Sequence, residues 1–204
     1  MGIQTEMTNL LFKLEKEPIP AIDGLHYFPD FLAAEEQIRF IENIDQNSWL
    51  NDLKRRVQHY GYKYDYKARG VSRDAYIGPL PGWLKPIAQR LYEQGHFSAV
   101  PDQIIVNEYE PGQGISAHVD CIPCFGKTIA SLSLGSGAMM QFQNIQTGQK
   151  AELYLEEGSL VVLSGPARYE WMHAIPARKS DTVGGFKVER GRRLSLTFRT
   201  MITV

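Results

Sequence analysis

Two segments in the first half of the chain carry apolar residues at helical spacing. Ile38, Ile41 and Ile44 predict a helix over about residues 32–46, with Asp30 as its expected cap. A second helix is predicted over about residues 83–94, and the glycine that follows is expected to end it. Its apolar stripe is formed by Leu84, Ile87, Ala88, Leu91 and Tyr92.

From residue 100 onwards, apolar and polar residues alternate as they do in half-buried strands. Turn-forming Gly, Pro and Asn residues separate the alternating segments. Short strands at this spacing predict a sandwich or a jelly roll, with the two helices packed on one sheet. The fold class is therefore α+β and mainly β. The predicted strands cover residues 104–109, 128–134, 138–142, 151–155, 159–163, 169–173 and 194–200.

Several of these strands carry polar residues two positions apart, which places them on one face. The last strand has apolar residues on its other face, and its polar set is Arg193, Ser195, Thr197 and Arg199. The same spacing relates Asn107 to Tyr109, and it relates Tyr169, Trp171 and His173 to one another. A polar face on one strand ordinarily faces water. Several such faces in one fold instead predict a cavity lined by polar side chains.

A metal site is predicted from His118 and Asp120, which lie two residues apart, together with His173. Two histidines and one carboxylate suit a mononuclear iron(II) site with three open positions. On a strand, His118 and Asp120 would point to the same face. An arginine beside such a site suits a carboxylate, because its planar fork donates two parallel hydrogen bonds. Together these features describe a site for 2-oxoglutarate.

The second half of the chain resembles a known family over about residues 103–200. An N-x-Y-x-P-G motif begins at Asn107, and an H-x-D motif begins at His118. The segments SLSLG, RYEWMH and RLSLTFR follow in the expected order. Together these motifs resemble those of the AlkB-like iron(II)/2-oxoglutarate dioxygenases. The residues within these motifs are more similar to those of the branch that includes transfer-RNA wobble-uridine hydroxylases. Ser195 stands where bacterial repair enzymes often carry Asn.

This resemblance implies a double-stranded β-helix, or jelly roll, and a role for each motif residue. His118, Asp120 and His173 are the implied iron ligands. The distal carboxylate of 2-oxoglutarate is expected on Arg193, with help from Tyr109. Iron(II), 2-oxoglutarate and dioxygen are the implied cofactor and cosubstrates. The full set of expected 2-oxoglutarate contacts is Asn107, Tyr109, Arg193, Ser195, Thr197 and Arg199.

The segment from Lys54 to Arg69 is both basic and aromatic, with six basic residues and one acidic residue. Its tyrosines alternate from Tyr60 to Tyr66, so an extended segment would put them all on one face. Aromatic faces interleaved with cations suit single-stranded or flipped bases, and in AlkB-like proteins this region forms the lid. An edge strand with tyrosines packed on the core is the alternative. The expected substrate contacts are Tyr60, Tyr62, Lys63, Tyr64, Arg69, Trp171 and Cys121.

Cys121 and Cys124 form a C-x-x-C immediately after the H-x-D motif. The chain has no other cysteine, so a zinc site here would lack half of its ligands. We expect reduced cysteines that pack in a loop. An oxidation-sensitive pair beside the iron site and an incomplete metal site are also compatible with this pattern.

The size and composition of the chain predict one domain. Residues 1–204 are expected to form it, with 1–99 as an extension that carries helices and the nucleotide-recognition lid, and 100–204 as the jelly-roll core. The net charge of −1 gives no global basic field. No apolar run reaches the roughly 18 residues of a spanning helix, and the N-terminal stretch lacks the features of a signal peptide. We therefore expect a cytoplasmic monomer, or a nuclear one in a eukaryote, without membrane attachment or an obligatory protein partner.

The predicted function is that of an iron(II)/2-oxoglutarate-dependent oxygenase acting on nucleic acid. Oxidative demethylation of N-alkylated bases in DNA or RNA is the favoured reaction, and hydroxylation of a modified wobble-uridine side chain in transfer RNA is the second. The sequence is also compatible with an oxygenase for a protein or small molecule, and with a non-catalytic nucleic-acid-binding domain. The metal site is the same for demethylation and hydroxylation, so the sequence does not distinguish them.

Overall fold

The computed structural model of the protein describes residues 18–202 except 52, 69 and 73. The N-terminal stretch used for the targeting prediction, and Arg69, lie outside the described residues. Three helices are described, α1 (Ala34–Asp45), α2 (Lys85–Glu93) and the short α3 (Gly165–Tyr169). Among the described residues, no helix is long and apolar enough to cross a membrane.

Twelve strands form most of the described chain. The first two are β1 (Leu25–Phe28) and β2 (Val57–Tyr60). The others are β3 (Gln103–Tyr109), β4 (Ile115–His118), β5 (Phe125–Gly135), β6 (Ala138–Asn144), β7 (Lys150–Leu155), β8 (Leu160–Leu163), β9 (Trp171–Ile175), β10 (Ser180–Val183), β11 (Phe186–Glu189) and β12 (Arg193–Met201).

These strands form two facing antiparallel sheets and a hairpin. The larger sheet has six strands in the order β1-β8-β5-β12-β3-β2, and the smaller has four in the order β4-β9-β6-β7. Strands β10 and β11 pair only with each other. This arrangement confirms the α+β, mainly β prediction of a jelly roll. Strands β1 and β2, from the first 99 residues, pair into the same sheet as the later strands.

Alternation along the central strands puts two different environments on the two faces of the larger sheet. Leu194, Leu196 and Phe198 of β12 are fully buried with residues of α1 and α2. This apolar cluster confirms that the helices pack on one sheet. Strand β8 alternates too, because Leu160 and Val162 join that cluster while their neighbours join a second one between the sheets. Burying a leucine or phenylalanine side chain contributes about 1.5–3 kcal/mol, so these two clusters stabilise the layers.

Three local predictions are wrong. Helix α1 begins after Ala33, whose backbone N–H donates to the Glu36 carboxylate at 3.1 Å, so Asp30 is not its cap. Tyr169 ends helix α3 instead of beginning a strand. The tyrosine segment does not continue as an extended strand beyond Tyr60, because Gly61 turns it with a φ of 77°. The alternation pattern also does not predict β1, β2 or the β10–β11 hairpin, whose strands are only four residues long.

A buried carboxylate connects the outer face of the larger sheet to the end of α1. Glu108 on β3 is 3% exposed and accepts hydrogen bonds from Arg56 at 2.8 Å and from Arg192 at 2.7 Å. Arg192 also donates to Asp45, the last residue of α1, at 2.9 Å. Hydrogen bonds from Arg56 and then Arg192 outweigh burial and lower the pKa of Glu108. This carboxylate therefore stabilises the fold in its ionised form.

Replacement of Glu108 by Gln is expected to lower the free energy of unfolding by about 1–3 kcal/mol at pH 7. Because the pKa of Glu108 is lower in the folded state, its contribution is present above the ordinary value of 4.5 and is lost as the pH falls below it. Urea unfolding from pH 7 down to pH 3 measures this difference. The matched variant Glu157→Gln, at an exposed position, should match wild type throughout. A Glu108→Gln deficit that does not shrink at low pH would contradict the ionic interpretation.

Candidate metal and cosubstrate site

A cavity of about 900 Å³ lies between the two sheets. Both sheets contribute to its lining, as do the segments around residues 53–55 and 64–66. Among the lining residues are all nine that the sequence predicted as metal or 2-oxoglutarate contacts: Asn107, Tyr109, His118, Asp120, His173, Arg193, Ser195, Thr197 and Arg199. The predicted polar faces therefore converge on one cavity.

Three potential metal ligands meet at one end of this cavity. One ligand atom each from His118, Asp120 and His173 lies within 4.8 Å of the other two. Strands β4 and β9 pair antiparallel with His118 directly opposite His173, so their ring centres are only 4.4 Å apart. His118 is the last residue of β4, and Asp120 lies in the loop beyond it. The turn still brings an Asp120 oxygen to 3.8 Å from His118 Nε2.

Hydrogen bonding and burial prepare both imidazoles to act as ligands. His118 donates its Nδ1–H to the carbonyl oxygen of Ser116 at 2.8 Å, because a carbonyl can only accept. Its Nε2 is thereby left with a lone pair on the cavity side, the arrangement found for metal-ligating histidines. Burial lowers the pKa of His173 to about 4, and the nearby His118 contributes in the same direction. His173 is therefore neutral at physiological pH, as a ligand must be.

Two arginines hold Asp120 in place. Arg199 donates to Asp120 Oδ1 at 3.2 Å, and Arg168 donates to the backbone oxygens of Asp120 at 2.9 Å and Cys121 at 3.2 Å. Burial raises the pKa of Asp120, but the charge of Arg199 and other neighbours outweighs it, and the pKa falls below its usual range. The second oxygen, Oδ2, is buried without a hydrogen-bond partner in the described chain. A buried ionised oxygen with no partner fits a metal ion at this position.

Arg193 is a buried cation at the other side of the cavity. It is 3% exposed, donates to Ser133 Oγ at 2.8 Å, and has no carboxylate within salt-bridge distance among the described residues. Its Nε is buried and has no partner there. Burial lowers the pKa of Arg193 to about 10, so the guanidinium is still charged at neutral pH. A buried charge without a partner is costly, and a ligand carboxylate fits here.

The remaining predicted cosubstrate residues lie between these two ends. The Tyr109 ring centre is 5.6 Å from the guanidinium carbon of Arg193. Asn107 Oδ1 accepts a hydrogen bond from Arg55 at 2.9 Å, so its amide nitrogen is the group available for a ligand. The Ser195 hydroxyl is 2.8 Å from that of Ser131 on the neighbouring strand. These residues add neutral hydrogen-bonding groups between the two charged ends.

The six predicted substrate residues that the structure describes divide into three groups, and only two of the six line the cavity. Tyr64 and Cys121 line the cavity, while Lys63 is exposed outside it. Tyr62 also lies outside the cavity lining and packs against Tyr76, with ring centres 5.1 Å apart. By contrast, Tyr60 packs on the apolar cluster beneath α1 and α2, and Trp171 is 7% exposed in the cluster between the sheets. Neither of these two lines the cavity, because Tyr60 precedes the Gly61 turn and Trp171 lies at the far end of β9.

The two cysteines form a disulfide, contrary to the expectation of reduced thiols. The bond closes the loop directly after Asp120, and the Cys124 side chain packs with Phe125 and Ile129. Tyr64 packs against this cluster, with its ring centre 5.9 Å from that of Phe125. The disulfide loop thus supports one wall of the cavity.

The predicted site residues did not include Arg55 and Arg168, nor Lys54 and Tyr66, which also line the cavity. Arg55 lines the cavity, and Arg168 holds the Asp120 backbone. Arg168 could have been found from its position in the RYEWMH segment, where an arginine lies five residues before His173. Arg55 belongs to the basic segment from Lys54 to Arg69, but the sequence does not distinguish it from the other basic residues there, because the path of this irregular segment depends on tertiary contacts.

Removing a ligand is expected to abolish tight metal binding. Asp120→Asn and His173→Ala should each weaken Mn(II) binding on the order of 100-fold or more, because changing only a residue that supports a ligand already costs about 10- to 100-fold. Isothermal titration calorimetry on the metal-free protein measures this, and circular dichroism checks that each variant is folded. His26→Gln, at an exposed histidine outside the cavity, is the matched control. Unchanged Mn(II) affinity in both ligand variants would contradict the assignment of a metal to this site.

Comparison with known proteins agrees with this geometry. Residues 47–199 match the 2OG-Fe(II) oxygenase superfamily. The alkylated DNA repair protein ALKBH8 homolog of Arabidopsis thaliana is 36% identical, covering 87% of this chain and 58% of that protein. The tRNA (carboxymethyluridine(34)-5-O)-methyltransferase ALKBH8 of Mus musculus is 36% identical, covering 86% of this chain and 30% of that protein. The chain therefore spans only part of the length of these relatives.

Two further comparisons support the family and the fold. The mitochondrial alpha-ketoglutarate-dependent dioxygenase alkB homolog 7 of Mus musculus is 38% identical, covering 85% of this chain and 76% of that protein. The solved structure of OsALKBH1 superposes with a TM-score of 0.66 at 19% identity, covering 90% of this chain and 99% of that one, and it supports the fold alone. The predicted family, enzyme class and cofactors are confirmed. The chain belongs to the AlkB-like branch of the 2OG-Fe(II) oxygenase superfamily, whose enzymes use iron(II), 2-oxoglutarate and dioxygen.

Proposed function

We propose that this oxygenase holds iron(II) with His118, Asp120 and His173 and oxidises a C–H bond on a substituent of a nucleobase. The observation that carries the metal assignment is the buried, unpartnered Oδ2 of Asp120 beside two imidazoles. When bound, iron(II) with 2-oxoglutarate and dioxygen supplies the oxidation of C–H to C–OH, and 2-oxoglutarate becomes succinate and carbon dioxide.

The protein's own residues bind and orient the reactants. Arg199 occupies Asp120 Oδ1, which leaves Oδ2 for the metal, and Arg168 fixes the backbone from which Asp120 extends. We propose that Arg193 receives the distal carboxylate of 2-oxoglutarate, held by Ser133 and beside the Tyr109 ring. Fixed donors of this kind cost no reorganisation when the ligand binds. The cavity lining also includes Asn107, Ser195 and Thr197 as neutral partners for the cosubstrate.

The aromatic residues on one wall support a nucleobase as the substrate. Tyr64 and Tyr66 line the cavity and pack against each other, with ring centres 5.2 Å apart. Aromatic faces in the lining of a cavity suit a base taken out of its stack. We propose removal of an N-methyl group from DNA or RNA, in which the hydroxylated carbon leaves as formaldehyde. The similarity to a protein named for alkylated DNA repair supports this reaction.

A second candidate is stable hydroxylation of a uridine side chain in transfer RNA. It is favoured by the 36% identity with ALKBH8 of Mus musculus, whose name refers to carboxymethyluridine in transfer RNA. The two candidates share every residue described above and differ only in the carbon that is oxidised.

We also propose that residues 1–204 act as a single domain and a monomer without an obligatory protein partner, because one chain supplies the whole candidate site. A cytoplasmic location remains a prediction.

Mass spectrometry distinguishes the two reactions. The protein is loaded anaerobically with iron(II) and 2-oxoglutarate, and oxygen is then added with methylated oligonucleotides or total transfer RNA. Succinate formation with loss of the mass of a methylene group identifies a demethylase, whereas gain of one oxygen atom on transfer RNA identifies a hydroxylase. Asp120→Ala should abolish both reactions. Succinate formation that no nucleic acid accelerates would contradict the nucleic-acid substrate and leave the metal site standing.

Replacement of Arg193 by Gln should selectively weaken the binding of 2-oxoglutarate. Loss of a charge-assisted hydrogen-bonded pair costs about 1.5–3 kcal/mol, which corresponds to roughly a 10- to 150-fold rise in the KM for 2-oxoglutarate. Steady-state succinate assays measure the KM. Arg39→Gln is the control, because it removes the same charge at an exposed helix position outside the cavity. An unchanged KM for Arg193→Gln would place the carboxylate elsewhere.

A further inference from the structure

Arg55 is a cation in the cavity that the proposed metal and 2-oxoglutarate contacts leave unused. It lines the cavity, and no carboxylate of the described chain lies within salt-bridge distance of it. Among the described residues its one hydrogen bond runs from Nε to Asn107 Oδ1 at 2.9 Å, so both terminal nitrogens can donate to a ligand. Asp120 is the single acidic residue in the described cavity lining, and Arg199 already pairs with it. Arg55 therefore lacks a neutralising negative charge within the described cavity.

The position of Arg55 is fixed by contacts on both sides of it in the sequence. Gln113, from the E-P-G-Q-G segment between β3 and β4, donates to the Lys54 carbonyl at 3.0 Å. On the other side, Arg56 pairs with Glu108, and the Glu108 N–H donates to the Arg56 carbonyl at 3.0 Å. Arg55 itself is hydrogen-bonded to Asn107. A cation positioned in this way loses little conformational freedom when it binds a ligand.

Two tyrosines connect Arg55 with the rest of the cavity. Its guanidinium carbon is 5.7 Å from the centre of the Tyr109 ring and 5.9 Å from that of Tyr66. Arg193 lies beside the same Tyr109 ring at 5.6 Å, so one ring adjoins both guanidinium groups. The Tyr66 hydroxyl is buried and has no hydrogen-bond partner among the described residues. Burial raises the pKa of Tyr66 to about 12, and the hydroxyl is therefore a donor at neutral pH.

We infer that Arg55 and the Tyr66 hydroxyl bind an anionic group of the substrate, beside the position that Arg193 provides for 2-oxoglutarate. This inference rests on the proposed nucleic-acid function and narrows it to substrates with an anion close to the oxidised carbon. Such an anion is either a backbone phosphate next to the base or a carboxylate carried by the base. A guanidinium fork and a phenol are suited to the oxygens of either group.

Binding to four RNA probes tests this inference. Each is a short single strand with one modified uridine, bearing either a carboxymethyl group or its uncharged methyl ester. Each is made with native phosphates or with uncharged methylphosphonates around that uridine. Affinity is measured by fluorescence anisotropy on protein loaded with iron(II) and 2-oxoglutarate without oxygen, so that the site is complete and no turnover occurs.

For the probe that carries both the carboxymethyl group and native phosphates, Arg55→Gln should weaken binding about 10-fold or more. Tyr66→Phe should weaken it about 3- to 10-fold, because charge-assisted hydrogen bonds contribute more than neutral ones. Arg55→Lys should retain part of the affinity, since it keeps the charge. Arg39→Gln should bind like wild type. The probe change that removes the difference between wild type and Arg55→Gln identifies the bound anion as carboxylate or phosphate.

Three results would overturn the inference. If wild type and Arg55→Gln bind each of the four probes with the same affinity, Arg55 binds no substrate anion. A loss of 2-oxoglutarate affinity in Arg55→Gln, measured by calorimetry, with probe binding unchanged, would assign Arg55 to the cosubstrate. Failure of the wild-type protein to bind any probe would contradict the nucleic-acid function itself, and the inference would fail with it. The first two results leave that function intact, so the failures are distinguishable.

Discussion

Strand β12 pairs with β3 on one side and with β5 on the other, and this register fixes which residues face the cavity. Because side chains alternate along a strand, placing Leu194 and Leu196 against the helices forces Arg193 and Arg199 inward. A slip of one residue would expose the apolar face and bury the charges in the wrong layer. The hydrophobic cluster under the helices and the polar site are therefore two consequences of one register.

The buried charges of the protein differ in how they are neutralised, and this difference separates structure from function. Glu108 is held by two arginines at the end of α1, where no ligand is required. Asp120 is held through one oxygen, and its other oxygen has no partner in the described chain. Arg193 is buried and has no carboxylate within salt-bridge distance among the described residues, and the half-buried Arg55 has none either. A fold can tolerate such charges where a ligand completes them, since burial without a partner is costly.

The cavity wall formed by Tyr64 and the disulfide loop depends on contacts between segments that are distant in sequence. The disulfide loop after Asp120 packs with Tyr64, and Arg168 from α3 holds the backbone of the same loop. The segment around Arg55, which also lines the cavity, is attached through Gln113 and Asn107. The candidate metal ligand Asp120 and the aromatic wall are thus connected through packing against the same disulfide loop.

The sequence by itself determined the central strands and the two main helices, and it selected the residues proposed here for the metal and 2-oxoglutarate. Period-2 alternation and the spacing of polar residues are local properties, so both can be found without the fold. It did not determine the fate of the tyrosine segment. Tyr60 and Trp171 are in the core and Tyr64 and Tyr66 at the cavity, since a left-handed turn at Gly61 and the packing of β9 decide which way each ring points. Likewise, the pairing of His118 with His173, the disulfide and the uncompensated charge of Arg55 arise only when distant segments meet. Local pattern fixes which face a residue occupies on its own strand, whereas its partners across the cavity are set by tertiary contacts alone.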